Sequence, residues 1–246
     1  MNLKHKVSNH VKAQYYIFGT HAVIAAANNP RRKVINIFCL SKQLHTLKSF
    51  IKNYELIVVD ANFIINNIGQ DKIHQGVIAL VDTVFKNGIN ELDFTPSRDR
   101  VAILDQIVDP QNVGAIIRSA AAFGFNKIIV AKDNAPDENS TIAKAACGCL
   151  ELVQITKVVN INKTILDLKN RGFWIVGLDT NGQENLEPVK DIEKIAVIIG
   201  SEHKGMRQLT RQSCDFLIKI PISHQVESLN ASNAASIIFH SLHNLN

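Results

Sequence analysis

No run of apolar residues in this chain is long enough to span a bilayer, for which about 20 would be needed. The opening stretch "MNLKHKVSNHVKAQYY" is basic and lacks an apolar h-region, so it does not read as a secretory signal. Cysteine is scarce. Cys39, Cys147, Cys149 and Cys214 form no C-x-x-C pair and no disulfide framework, and reduced thiols in a cytoplasmic protein are expected. Cys147 and Cys149, in "AACGCLEL", read as small buried apolar residues, because no His/Cys partner pair shows zinc spacing. The nine histidines contain no H-E-x-x-H, so metal chemistry has no support. No G-x-G-x-x-G follows a strand, no G-x-x-x-x-G-K-[ST] is present, and there is no G-x-S-x-G elbow. Gly200-Ser201-Glu202 resembles the last only superficially. A dinucleotide crevice, a P-loop and a hydrolase elbow are therefore not signalled. Internal repeats and low-complexity runs are absent too.

What is present is ordinary for a soluble α/β protein. The 246 residues are 46% hydrophobic and 20% charged, which is ample material for a core. The net charge of +5 is unevenly placed. Residues 1–98 hold 12 Lys/Arg against 6 Asp/Glu, and residues 99–246 hold 15 against 16. A basic first part hints at a polyanion partner.

Helix and strand patterns alternate from the start. "THAVIAAAN", "KQLHTLKSFIKNY" and "NFIINNIG" read as helices; "VINIFCL", "LIVVD" and "GVIALVD" read as short β-branched strands of the kind buried in parallel sheets. This predicts a small α/β domain over 1–82. Residues 83–99, mixing Gly, Asn, Pro and charge, are expected to form a linker with one turn of helix. The alternation resumes over 100–246, with strands at "VAILDQIV", "KIIVA", "LVQITKV", "FWIVGLD", "IAVIIG" and "FLIKIPI". A parallel or mostly parallel sheet with helices on both faces follows.

Ligands in such sheets sit beyond the carboxyl ends of strands. Three strand ends here are rich in polar residues. Asn112 and Arg118 follow the first, Ser201 and Glu202 the fifth, and Ser228, Asn230, Ser232 and Asn233 the last. Each has a bland reading. Asn112 suits a helix cap, Arg118 a surface position, and Glu202 a first-turn acid favoured by the helix dipole. Three at once, on equivalent ends of one sheet, point to a site.

At these residues the chain resembles a known family. "DPQNVGAIIRSAAAFG", "IIGSEHKGM" and "IPISHQVESLNASNAASI" resemble, in order, the three signature motifs of the SpoU branch of the SPOUT (TrmH-like) RNA methyltransferases. "YIFGTHAVIAAANNP" and "HQGVIALV" resemble the N-terminal RNA-binding domain of 23S ribosomal RNA guanosine-2′-O-methyltransferases. The resemblance implies a trefoil-knotted parallel-sheet domain preceded by a small α/β RNA-binding domain of a ribosomal-protein type. It further implies S-adenosylmethionine as methyl donor without a metal, a ribose 2′-hydroxyl of large-subunit ribosomal RNA as acceptor, and a homodimer. Carried over by motif, the catalytic candidates are Asn112, Arg118, Glu202, Ser228 and Asn230, and the cofactor-binding positions are Gly200, Ile220 and Leu229. His203 stands where the family commonly has Gly, and Asn233 where it commonly has an apolar residue.

Methyl transfer from a sulfonium mainly requires positioning of two reactants. The family's proposed base falls on Arg118, yet guanidinium is effectively always protonated. Holding phosphate and stabilising a developing alkoxide is an equally consistent role. Lys4, Lys6, Lys12, Arg31, Arg32 and Lys33 are candidate backbone-gripping cations. Alternatives at this stage are a transfer RNA ribose methyltransferase with the same motifs and a non-catalytic RNA-binding relative. The apolar C-terminal helix, with Ile237, Ile238, Phe239, Leu242 and Leu245, is expected to bury more than one side.

Overall fold

A computed structural model describes residues 13–182, 189, 191–202 and 204–243. Lys4, Lys6, Lys12, His203 and Leu245 lie outside the described residues.

The first part is a four-stranded sheet in the order β1-β4-β2-β3. Its strands are β1 (Gln14–Phe18), β2 (Val34–Cys39), β3 (Leu56–Val58) and β4 (Val77–Asp82), with α1 (Thr20–Asn28), α2 (Ser41–Phe50) and α3 (Ala61–Ile68) between them. Only β2 and β3 pair in parallel; β4 runs antiparallel to both β1 and β2. This corrects the expectation of parallel strands. An apolar run reports burial on both faces, which β4 has, and says nothing about direction. β1 escaped the sequence reading because its apolar pattern is short: Gln14 is exposed, Tyr15 and Tyr16 are half-buried, and only Ile17 and Phe18 are buried.

The second sheet has seven strands, all parallel, in the order β11-β9-β10-β6-β7-β8-β5. They are β5 (Lys86–Asn87), β6 (Asp99–Leu104), β7 (Lys127–Ala131), β8 (Gln154–Val158), β9 (Trp174–Leu178), β10 (Lys194–Ile199) and β11 (Phe216–Ile218). The helices are α4 (Pro110–Ala122), α5 (Ser140–Ala146), α6 (Ile161–Asn170), α7 (Gln208–Gln212) and α8 (Ala231–Leu242). β10 lies between β6 and β9, so the carboxyl ends of the first and fifth strands of the sequence reading are neighbours. Gly114 lets α4 cross α5 closely: a Cβ there would lie 2.5 Å from Ala145 Cβ and 2.7 Å from the Ile142 carbonyl oxygen. On α8, Ile238, Phe239 and Leu242 are buried within the chain's own core, and only Ile237 stays exposed. The broad apolar face is thus mostly covered without a partner.

Residues 83–99 are docked rather than loose. β5 pairs with β8, a 3₁₀ turn spans Ile89–Glu91, and Leu92 is buried. The apolar core is continuous across the two parts, joining Ile17 and Val23 to Ile142, Ala146 and Leu150.

Arg32 does not grip RNA. It is 3% exposed and pairs with Glu138 and Glu151. Burial works against its cation, but Glu138 and Glu151 more than offset this and leave its pKa above the ordinary guanidinium value. Burial, then the Glu138 carboxylate, raises Tyr15 well above its usual range. Arg31 is exposed but turns one N–H to the Glu151 carbonyl at 2.7 Å. Lys33 remains free toward solvent, 3.9 Å from Asp82.

Candidate active site

The α4 helix begins with Pro110 in its first turn, and Asp109 caps it by accepting from the Gln111 N–H at 3.0 Å. Asn112 is therefore not the cap, and its side chain is released for another use. Glu202 is not a first-turn acid either. It sits in a tight turn closed by Ser201 N–H to Gly205 O (3.1 Å) and Gly205 N–H to Ser201 O (2.8 Å), and α7 starts only at Gln208. Gly200 is forced at the base of that turn, since a Cβ would lie 2.3 Å from the Gly205 carbonyl carbon and 2.4 Å from the Met206 nitrogen.

Asn230 caps α8. Its Oδ1 accepts from the Ser232 N–H at 2.9 Å and the Ser232 hydroxyl at 2.6 Å. That fixes the amide orientation, because the carbonyl must face the helix. Nδ2 then points away and donates to Asn112 Oδ1 at 3.1 Å and to Glu202 Oε2 at 3.3 Å. One side chain from the last strand end thus joins one from each of the other two.

Beside this junction lies an open cleft of about 560 Å³. Gly200, Glu202, Ile220, Ser228 and Leu229 all line it. Ser228 is exposed, and no hydrogen bond from its hydroxyl is formed among the described residues. Apolar walls come from Ile199, Ile218, Ile220 and Leu229, and carboxylates from Asp179, Glu202 and Glu227. Lys204 and Arg211 line it as well, and Arg211 is ion-paired with Asp179, so the cleft carries charges of both signs. No cluster of three or more metal-ligating side chains occurs among the described residues.

Two features escaped the sequence reading. Asp179, at the carboxyl end of β9, lines the cleft and holds Arg211 Nε at 2.5 Å. The polar "DTNG" after that strand was the available signal, a fourth strand end of the same kind. Asp105, at the end of β6, is wholly buried and accepts from the Arg207 backbone N–H (2.9 Å) and Nε (2.8 Å), with Nη2 at 2.6 Å. It ties the strand that leads to Asn112 to the turn that carries Glu202.

Arg118 is not brought to the junction. It stands exposed on α4, and no hydrogen bond or ion pair to it is formed among the described residues. Its cation is felt at Cys149: burial raises that thiol, and Arg118 partly counters the rise.

Comparison with known proteins gives the family. Residues 99–240 match the SpoU rRNA Methylase family, and residues 16–85 match the RNA 2′-O ribose methyltransferase substrate binding family. The chain is 34% identical over 230 residues to the 23S rRNA (guanosine-2′-O-)-methyltransferase RlmB of Vibrio vulnificus, covering 90% of this chain and 93% of that one. It is 35% identical over 229 residues to the enzyme of the same name from Escherichia coli, covering 90% and 94%. Among solved structures, the SpoU methyltransferase AviRb from Streptomyces viridochromogenes, in complex with the cofactor AdoMet, superposes with a TM-score of 0.78 at 22% identity, over 93% of this chain and 89% of that one. With three motif segments meeting on Asn230 and matches spanning both parts of the chain, this protein belongs to the SpoU rRNA methylase family.

Proposed function

We propose that this chain transfers a methyl group from S-adenosylmethionine to the ribose 2′-hydroxyl of a guanosine in 23S ribosomal RNA. The observation that carries this reading is the junction at Asn230 beside the cleft, in a chain whose named relatives methylate 23S rRNA guanosine.

The cleft suits the cofactor. Its volume of about 560 Å³ falls within the roughly 300–1,000 Å³ of small-molecule sites. Gly200 has no space for a side chain, so backbone forms that wall, and Ile220 and Leu229 offer apolar surface to an adenine ring. The carboxylates of Glu202 and Glu227 complement a sulfonium, while Asp179 is paired with Arg211. When bound, S-adenosylmethionine supplies a methyl group already activated for displacement. The chain's own residues then have to orient the acceptor. Asn112, Glu202 and Asn230 present a fixed set of donors and acceptors, and Ser228 adds a free hydroxyl on the cleft wall. The role of the Arg118 guanidinium in this reading is to hold phosphate and stabilise the developing alkoxide.

Residues 1–82 form the RNA-binding part in this reading, joined through 83–99 to a catalytic part over 100–246. Homodimerisation belongs to it as well. Support comes from Arg118, which is exposed and forms no hydrogen bond or ion pair among the described residues, and from exposed Ile237 on α8. A trefoil knot belongs to this reading through membership of the family, and a cytoplasmic place through the RNA substrate.

Mass mapping of 2′-O-methylated nucleotides, with and without the protein, tests the activity. Loss of one methylguanosine from 23S rRNA is expected. Loss confined to transfer RNA would overturn the substrate, and no loss would overturn the activity. Light scattering should report a dimer at micromolar concentration, and an active monomer would refute the assembly.

A further inference from the structure

A buried ionic cluster lies away from the cleft, where residues 13–85 meet α5 and the 3₁₀ turn Cys149–Glu151. The Arg32 guanidinium uses all three nitrogens. Nη1 donates to Glu138 Oε1 at 2.5 Å and to the Asp82 carbonyl at 2.7 Å, while Nε and Nη2 donate to Glu151 Oε1 at 3.0 and 2.5 Å. Glu138 accepts further from the Tyr15 hydroxyl (2.6 Å), the Thr83 hydroxyl (2.5 Å) and the N–H groups of Val84 (2.7 Å) and Phe85 (2.8 Å). Glu151 also accepts from Asn29 Nδ2 at 2.6 Å. Every donor to these two carboxylates comes from the first part of the chain or the segment just after it.

Burying such charges is costly, and well-packed apolar residues usually stabilise as well or better. What a planar fork adds is geometry: it accepts its partners at one distance and one orientation. Contacts either side of the cluster extend the same seam. Gly148 backs onto α1, where a Cβ would lie 3.1 Å from both Ala25 Cβ and the His21 carbonyl oxygen. Lys144 reaches from α5 to Gln75 Oε1 at 3.4 Å and over the Phe18 ring at 5.7 Å. The turn that holds Glu151 also holds Cys149, the thiol that feels Arg118.

We infer that the Arg32–Glu138–Glu151 joint locks the first part to the catalytic part as one rigid body, so that RNA gripped by the first part is held at a set distance from Arg118. Arg32 is a positioning residue, acting through Glu138 and Glu151, and it selects which ribose is presented. The RNA half of this inference rests on the function proposed above; the rigidity half does not. The apolar core that continues across the two parts covers surface without fixing one angle, and the guanidinium fork supplies that orientation.

The full chain tests it, with fluorophores carried on unnatural amino acids at exposed Lys48 and Leu166. The unaltered joint should give one narrow distance distribution, without and with an in vitro 23S rRNA transcript. Arg32→Met should broaden it, lower kcat/KM for the transcript by about 100-fold, and scatter methylation onto neighbouring riboses, with S-adenosylhomocysteine affinity unchanged. A merely structural role would instead lower cofactor affinity and melting temperature together. Arg32→Met leaves two buried carboxylates unpaired, so a second variant joins it with Glu138→Gln and Glu151→Gln. That neutral variant should fold and show the same broadening and scatter. A broad distribution in the unaltered protein would overturn the inference, as would single-site methylation at full rate by the neutral variant. If the unaltered chain leaves the 23S transcript unmethylated, the proposed substrate fails, while the distance distributions still decide the joint.

Discussion

Asn230 donates its amide N–H to Asn112, 118 residues earlier in the chain, while its carbonyl caps α8. One side chain thus couples the start of the last helix to the first motif, and the two roles can be separated by substitution. Asn230→Asp keeps an oxygen for the Ser232 N–H but places an acceptor, and a charge, against Asn112 Oδ1 and Glu202. It should leave the melting temperature within a few degrees while methylation falls about 100-fold. Asn230→Ala should lose activity and also about 1 kcal/mol of stability with the cap. Thermal unfolding beside a single-turnover assay separates the two, and an active Asp variant would remove Asn230 from the site.

Gly200 and Gly205 offer a contrast within one turn. A Cβ at Gly200 meets backbone atoms at 2.3 and 2.4 Å, which cannot rotate away. Gly200→Ala should displace the turn and weaken S-adenosylhomocysteine binding at least tenfold, about 1.4 kcal/mol. Gly205 has a φ of +63° and open space around it. Asn tolerates that backbone region, so Gly205→Asn should bind nearly normally. Calorimetry on both variants checks the order, and equal losses would contradict it.

Much of the second sheet was legible because its apolar runs are short, β-branched and bounded by caps or polar turns. "KIIVA" coincides with β7. The roles at the site were less so. Asp109 and Asn112 are both good caps, and the Gln111 N–H donating to Asp109 shows which of them caps. Arg32 sits in "RRK", a run that sequence alone reads as solvated charge; its burial depends on Glu138 and Glu151, more than 100 residues away. Strand direction in the first sheet was illegible, since the pattern of a doubly buried strand is the same read either way. The sequence reading places Asp105 and Asp179 within the strands "VAILDQIV" and "FWIVGLD", and their partners Arg207 and Arg211 lie further along the chain.

The Asp105–Arg207 pair should be asymmetric. Asp105 is wholly buried, whereas the Arg207 side chain is 47% exposed. Arg207→Ala strands a buried carboxylate and should cost about 3–5 kcal/mol. Asp105→Asn keeps an acceptor for the Arg207 N–H and leaves the guanidinium near water, so a smaller loss of roughly 1–3 kcal/mol is expected. Both should raise the KM for S-adenosylmethionine by loosening the Glu202 turn. Urea unfolding gives the order, and a reversed order would mean that the carboxylate is not held by Arg207.

Cys214 sets an alkaline limit. Burial, then neighbouring Asp215, pushes its thiol up to about 12 from the usual 9.0. Below the usual value the thiol is protonated in both folded and unfolded chains. Above it, the unfolded chain releases a proton that the folded one keeps, so stability falls as pH rises from 9.0 toward about 12. One such group contributes a slope of at most about 1.4 kcal/mol per pH unit. Tyr15, raised well above 10.0, steepens the loss further up. Cys214→Ala should flatten the lower part of this limb in urea titrations between pH 8 and 10 (roughly the usual thiol range). An unchanged limb would show that the thiol ionises in the folded protein as readily as in the unfolded one.

Arg118 is exposed on α4 and forms no hydrogen bond or ion pair among the described residues, whereas Asn112, Glu202 and Asn230 are joined to one another. Its removal should therefore cost little stability, since exposed positions free of such contacts usually change it by about 0.5 kcal/mol or less. Arg118→Ala should abolish methylation while S-adenosylhomocysteine affinity stays unchanged. Arg118→Lys should not restore the rate, because a single ammonium cannot make the two parallel hydrogen bonds of a guanidinium to phosphate. Mixed dimers carry the argument one step further. A chain with Arg118→Ala paired with a chain whose cleft is blocked at Leu229 leaves one intact cleft facing one intact Arg118 only if the site is shared across the interface. About half of the normal activity per cleft pair is then expected, from one working site of two. Full activity of the Arg118→Lys chain would reduce Arg118 to a generic cation, and inactive mixed dimers of verified composition would place its action within its own chain.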